Sequence, residues 1–238
     1  CDASRYITDG DDRKPFLAAF QPRVGFSFGL FGNGNTMLFG GYGMYYAHVA
    51  FSRGALAQDD GGSLDLEGLS VKTEGQYSMG LYAGIGTLKP GQVSLVARNV
   101  SVETLGDQAT GAMVSRQYQS DTASLQLSDS SITTRGVLSH GLQAESTALL
   151  SASNTAVTTY GERALGALAN NQANVQLDQV GINTSGNLAH AAVAKNGARL
   201  DAQRSVINAS GDQAAALYAQ GTELLKGQAN LDSSVLHN

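Results

Sequence analysis

The sequence predicts an all-β chain: a right-handed parallel β-helix of about seven coils, 25–31 residues each, behind an aromatic-rich β-hairpin. Three observations lead there. The stretch "INTSGNLAHAAVA" (Ile182–Ala194) closely repeats "AVTTYGERALGALA" (Ala156–Ala169) before it and "VINASGDQAAALYA" (Val206–Ala219) after it. Self-similarity at a fixed period is the signature of a repeat architecture. Apolar residues alternate in short bursts instead of recurring at helical spacing. Gly, Asn, Asp and Ser separate those bursts, as turns require.

The chain begins with a different chemistry. All seven Phe residues lie between Phe16 and Phe51. In "RVGFSFGLFGNGNTMLFGGYGMYY", Val24, Phe26, Phe28 and Leu30 alternate with small residues, the period-2 pattern of a strand with one greasy face. "GNGN" (Gly32–Asn35) supplies a turn, and Leu38, Gly40, Tyr42 and Met44 continue the alternation. Residues 1–51 are therefore assigned to the hairpin region. "SRGALAQDDGG" reads as a polar, Gly-containing connection over 52–61, and 62–238 carry the repeat.

Within the repeat, one Gly recurs at Gly75, Gly106, Gly136, Gly161, Gly186 and Gly211, at intervals of 31, 30, 25, 25 and 25. Before each comes an apolar pair: Leu64/Leu66, Leu95/Ala97, Leu125/Leu127, Leu150/Ala152, Val175/Leu177, Leu200/Ala202 and, opening a seventh coil, Leu231/Ser233. Seven residues after each first member stands Val71, Val102, Ile132, Val157, Ile182 or Ile207. A third segment ends at Ala83, Val114, Ala144, Ala169, Ala194 or Ala219. Three short strands and three turns per unit make one coil of a parallel β-helix. Coils stack about 4.8 Å apart, and right-handed winding follows from the handedness of parallel crossovers.

This arrangement predicts ladders of like side chains. The Thr73, Thr104, Thr134, Thr159 and Thr184 column and the Asn99, Asp129 and Asn154 column are expected to hydrogen-bond along the stack. The Gly column marks either a positive-φ bend or a close passage of backbone. Insertions enter at one place, between the third strand and the next coil: "GIGTLKPGQVS" (84–94), "SRQYQSDTAS" (115–124) and "QGTELLKGQAN" (220–230). Insertions on one edge of a solenoid map to one face. Lys89, Arg116, Gln117 and Tyr118, on the first two long links, are the candidate contact residues.

A net charge of −5 without a basic stripe argues against nucleic acid. No run of 18 apolar residues could span a bilayer as a helix. The single Cys1 excludes an intrachain disulfide. It fits either a lipidated mature terminus or a cut chain, which intact mass distinguishes. The start without Met and the stop inside a repeat predict a piece of something longer.

Residues 62–238, through units such as "ANVQLDQVGINTSGNLAHAAVAKNGARLDAQRSVINASG", resemble the passenger domain of pertactin-like bacterial autotransporters. That resemblance implies secretion through an outer-membrane barrel, display at a Gram-negative cell surface or release, and adhesion to a host or matrix protein or glycan. It implies a virulence-associated adhesin; separately, no Ser–His–Asp or Cys–His arrangement points to an enzyme, and no cofactor is assigned. A monomer is expected. Residues 8–50, through "RVGFSFGLFGNGNT" and "FGGYGMYY", resemble a strand–turn–strand of TonB-dependent-receptor-type outer-membrane barrels, departing from that pattern at Phe39, Ala47 and His48. Two strands cannot close a barrel. The hairpin is therefore read as a cap on the first coil, with a barrel remnant as the alternative.

Two further readings stay open. One is a polysaccharide-active lyase or hydrolase, where hydrolysis needs carboxyls about 5–9.5 Å apart. The repeat puts Asp65, Asp201 and Asp232 in one column, the last two on adjacent coils, whereas Asp129 and Asp178 fall in different columns. The other is a join of unrelated fragments with no function as a unit. His140 and His190 also share a column, but Leu165 separates them by a coil. At roughly 9.6 Å they cannot ligate one ion with bonds of about 2.0–2.1 Å, so solvated positions are expected and no metal is assigned.

Overall fold

The computed structural model describes residues 23–29, 37–43, 53–58, 63–84, 91–116, 122–222 and 224–238. The chain divides into two units, Cys1–Tyr46 and Ala47–Asn238. In the first, β1 (Arg23–Gly29) and β2 (Met37–Gly43) pair antiparallel. Their register sets Val24, Phe26 and Phe28 opposite Tyr42, Gly40 and Leu38. The "GNGN" turn lies outside the described residues.

The second unit is a parallel β-helix built from three seven-stranded sheets. Wall A runs from Ser63–Glu67 to Gln228–Asp232, wall B from Ser70–Thr73 to Val235–His237, and wall C from Arg53–Gln58 to Leu217–Gln220. In every sheet each strand pairs with the strand three places along the chain, one coil away. The predicted columns stack as read: Leu95 on Leu125 on Leu150, and Ile132 on Val157 on Ile182. All of these are essentially sealed from solvent and form one continuous apolar spine.

Three readings change. Arg53–Gln58, placed above in a connection, is a wall-C strand, β3, paired in parallel with Met79–Gly84. It escapes a repeat search because its own coil lacks the preceding Thr and Gly. The seventh coil is shifted by two residues: Leu200 pairs with Ala229 and Ala202 with Leu231. A two-residue slip keeps every side chain on its own face, so alternation cannot detect it.

The third change concerns threonine. Apart from a long second contact from Thr184 to the Asn208 carbonyl at 3.4 Å, the Thr hydroxyls do not bond up the stack. Each is buried and donates to the carbonyl five residues later in its own coil: Thr104 to Ala109 at 2.6 Å, Thr134 to Ser139 at 2.5 Å, Thr159 to Ala164 at 2.7 Å. The column thus fastens the corner between walls B and C, satisfying a carbonyl that water cannot reach. Thr134→Val keeps the shape and removes the donor. A loss of about 1–2 kcal/mol is expected in urea denaturation, the cost of a buried acceptor left unpaired.

Candidate functional site

The corner between walls A and B is a single left-handed residue. Asn99, Asp129, Asn154, Gln179 and Arg204 have φ of 52°, 52°, 44°, 55° and 47°. Asn and Asp tolerate that region better than most residues, and each N–H is spent on the neighbouring coil, as from Asn154 to the Asp178 carbonyl at 3.0 Å. The predicted side-chain ladder forms where Asn154 Nδ2 donates to Asp129 Oδ1 at 2.6 Å. A polar valley of about 660 Å³ runs along this corner.

Beside it, the outer face of wall A forms a groove of about 610 Å³. Strand alternation turns Leu and Ala inward and sends the intervening residues outward. One outward column is Val96, Gln126, Ser151, Gln176, Asp201 and Asn230. The other is Arg98, Ser128, Ser153, Asp178, Gln203 and Asp232. The groove is an array of amides, hydroxyls and carboxylates repeating once per coil.

Four of its five charged side chains, Arg98, Asp178, Arg199 and Asp201, are ion-paired, whereas Asp232 accepts from Ser233 Oγ. Arg98 lies 3.7 Å from Asp65, Arg199 lies 2.6 Å from Asp201, and Arg204 pairs with Asp178. Burial alone would raise the Asp201 pKa; hydrogen bonds from Arg199 and Asn230, with the Arg199 charge, outweigh it and hold the carboxyl below the usual carboxylate range. The sequence-predicted pairing of Asp201 with Asp232 does not occur. Asp201 faces Asn230, whose Nδ2 donates to it at 2.6 Å, and Asp232 faces Gln203. The register slip separates the two carboxylates that the repeat had placed in one column.

No family model, curated protein or solved structure matches this chain.

Of the candidate contact residues, Arg116 is described. Its Nε donates to the Ser146 carbonyl in the next coil at 3.1 Å, so it ties two turns together as well as lying on a long link. Lys89, Gln117 and Tyr118 lie outside the described residues. His140 and His190 are half-buried instead of freely solvated. His140 Nδ1 accepts the Leu165 N–H at 3.0 Å, and His190 Nδ1 accepts the Ala215 N–H at 2.9 Å. Each caps a backbone donor of the following coil just before wall C begins. His190 also stacks on Tyr218, with centroids 4.8 Å apart.

Sequence reasoning missed the groove. Its residues are the polar halves of an alternating pattern, and such halves read as ordinary solvated positions until register aligns them. The available signal was the recurrence of Gln, Ser and Asp at the same coil position.

Proposed function

We propose that this chain is a rigid, surface-displayed or secreted adhesive element of the autotransporter-passenger type, which holds a host or matrix protein or glycan on the outer face of wall A. The groove supports this reading: its polar side chains repeat with the coil, and a periodic surface on a stiff support suits an extended partner. The stiffness has a physical source. Successive coils share continuous ladders of backbone hydrogen bonds and a close-packed interior, so the outer columns hold their spacing.

Binding of the purified chain to immobilised matrix proteins and to host cells tests the proposal. Gln126→Arg with Gln176→Arg, which crowds the centre of the groove, is expected to weaken binding by about tenfold or more, equivalent to about 1.4 kcal/mol. A variant altering Lys89, Gln117 and Tyr118 to Ala, with Arg116 kept as the inter-coil tie, separates the groove from the long links. Loss of binding in that variant alone would move the contact face to the links. No binding by the parent chain to any matrix protein or cell would overturn the adhesive reading.

A further inference from the structure

We infer that the wall-A groove takes an uncharged polysaccharide chain lying along the helix axis, one sugar residue per coil. This rests on the adhesive reading above and specifies its ligand class. Three features carry it.

The first is the kind of contact the face permits. The backbone N–H and C=O groups of wall A are consumed in its own parallel ladder, so no partner strand can add to this face. Recognition must come from side chains. The middle of the groove presents Gln126, Ser151 and Gln176 in one column, each amide offering both donors and an acceptor and the hydroxyl offering one of each kind. A sugar hydroxyl has the same double character, so a polyhydroxylated chain can satisfy this column at every coil.

The second is charge. Both arginines lining the groove, Arg98 and Arg199, are already opposite carboxylates, and Asp178 is opposite Arg204. A uronate or sulfated chain would have to pull a guanidinium away from its partner and would meet the carboxylates left behind. Bringing like charges together across an interface disfavours a ligand strongly. A neutral chain meets no such conflict, and the paired carboxylates retain lone pairs for its hydroxyls.

The third is spacing. Coils repeat at about 4.8 Å, close to the length of one residue in an extended sugar chain. A polymer lying along the axis therefore stays near register with the columns over these few coils, and each added residue reaches one further polar side chain.

Isothermal titration of the full chain with neutral cello-, xylo- and manno-oligosaccharides of two to eight residues tests this, with oligogalacturonates and heparin-derived oligosaccharides of matching length as charged comparators. For at least one neutral series, affinity should rise about fivefold or more from two to four residues and level off at about six, once the coils that line the groove are spanned. The charged series should bind about tenfold more weakly at equal length. Ser151→Lys, which puts a long cation at the groove centre, should cut neutral binding about tenfold. Gln176→Lys serves the same purpose where the first variant does not fold. Tighter binding of the charged series, affinity independent of length, or binding untouched by both variants would overturn the inference. Matrix or cell binding that survives without any oligosaccharide binding would overturn this inference and leave the adhesive reading standing. Oligosaccharide binding without cell or matrix attachment would do the reverse.

Discussion

Gly161→Ala is expected to cost about 3–5 kcal/mol of folding free energy, well beyond the usual surface substitution. A Cβ built on Gly161 would sit 1.8 Å from the carbonyl oxygen of Gly136 and 2.5 Å from its carbon. Both atoms are backbone of the adjacent coil, so no side chain can rotate away. Relief requires the two coils to part at that corner, which weakens their shared hydrogen bonds and packing. Overpacking commonly costs about 1–3 kcal/mol and occasionally more; with both clashing atoms fixed in backbone, this site belongs at or above the top of that range. The neighbours repeat the geometry: Gly186 meets the Gly161 oxygen at 1.9 Å and Gly211 the Gly186 oxygen at 1.8 Å. Gly181→Ala is the control, because nothing lies within 4 Å of its Cβ position. It should be neutral or stabilise by about 0.5–1 kcal/mol, the usual penalty of Gly in a strand interior. Urea titration by far-UV circular dichroism compares the two. Since each coil touches only its neighbours, hydrogen exchange in Gly161→Ala should rise first in the coils on either side. Equal stabilities for the two variants would show that the Gly column is not a close-passage column.

That column shows how far the sequence could be read. Its period was plain, but two causes fitted it, a positive-φ bend or a tight passage, and both select Gly. The structure assigns the tight passage. The left-handed residue falls two places later, on Tyr77, Gln108, Leu138, Arg163, Leu188 and Gln213, with φ between 54° and 61°. None of these side chains favours that region. From Tyr77 to Leu188, the first five of them, each N–H reaches a carbonyl of the next coil, as from Leu138 to Glu162 at 2.9 Å. Tertiary bonding overrides the local preference and leaves no local signature.

The inward columns were legible for the opposite reason. Burial demands an apolar residue at every coil, so Ile132, Val157 and Ile182 declare themselves. Thr134 was recognised as a column member, but its partner was not: a hydroxyl can bond along the stack or within the coil, and spacing alone does not choose. The outer columns were harder again. Solvent tolerates Gln, Ser, Asp and Asn alike, so the groove emerges only from pairing register. The Asp232 position depended on that same register and moved when the last coil slipped.

Acid should loosen the middle of the shaft through His140. Its Nδ1 accepts the Leu165 N–H, which requires a neutral ring with its proton on Nε2. Protonation would set two donors face to face. Burial first, and the Lys195 charge second, push the His140 pKa from 6.5 down to about 4. Burial also lowers the His190 pKa. The unfolded chain therefore binds a proton that the folded chain refuses, and stability rises with pH across that window. It is fully present above about pH 6.5, falls as pH drops toward 4, and has no further His140 slope below that. At 1.36 kcal/mol per pKa unit the His140 share is at most about 3 kcal/mol. His140→Leu separates the effects, because Leu165 already fills the same position one coil on. At pH 8 the variant should be less stable by about 1–2 kcal/mol, the cost of an unpaired N–H. Between pH 6.5 and 4 its stability should decline less steeply than that of the parent chain. Urea midpoints measured across this range decide the matter: parallel curves for the two proteins would mean that the imidazole is protonated without disturbing the contact between coils, and that the cap on Leu165 carries no linkage.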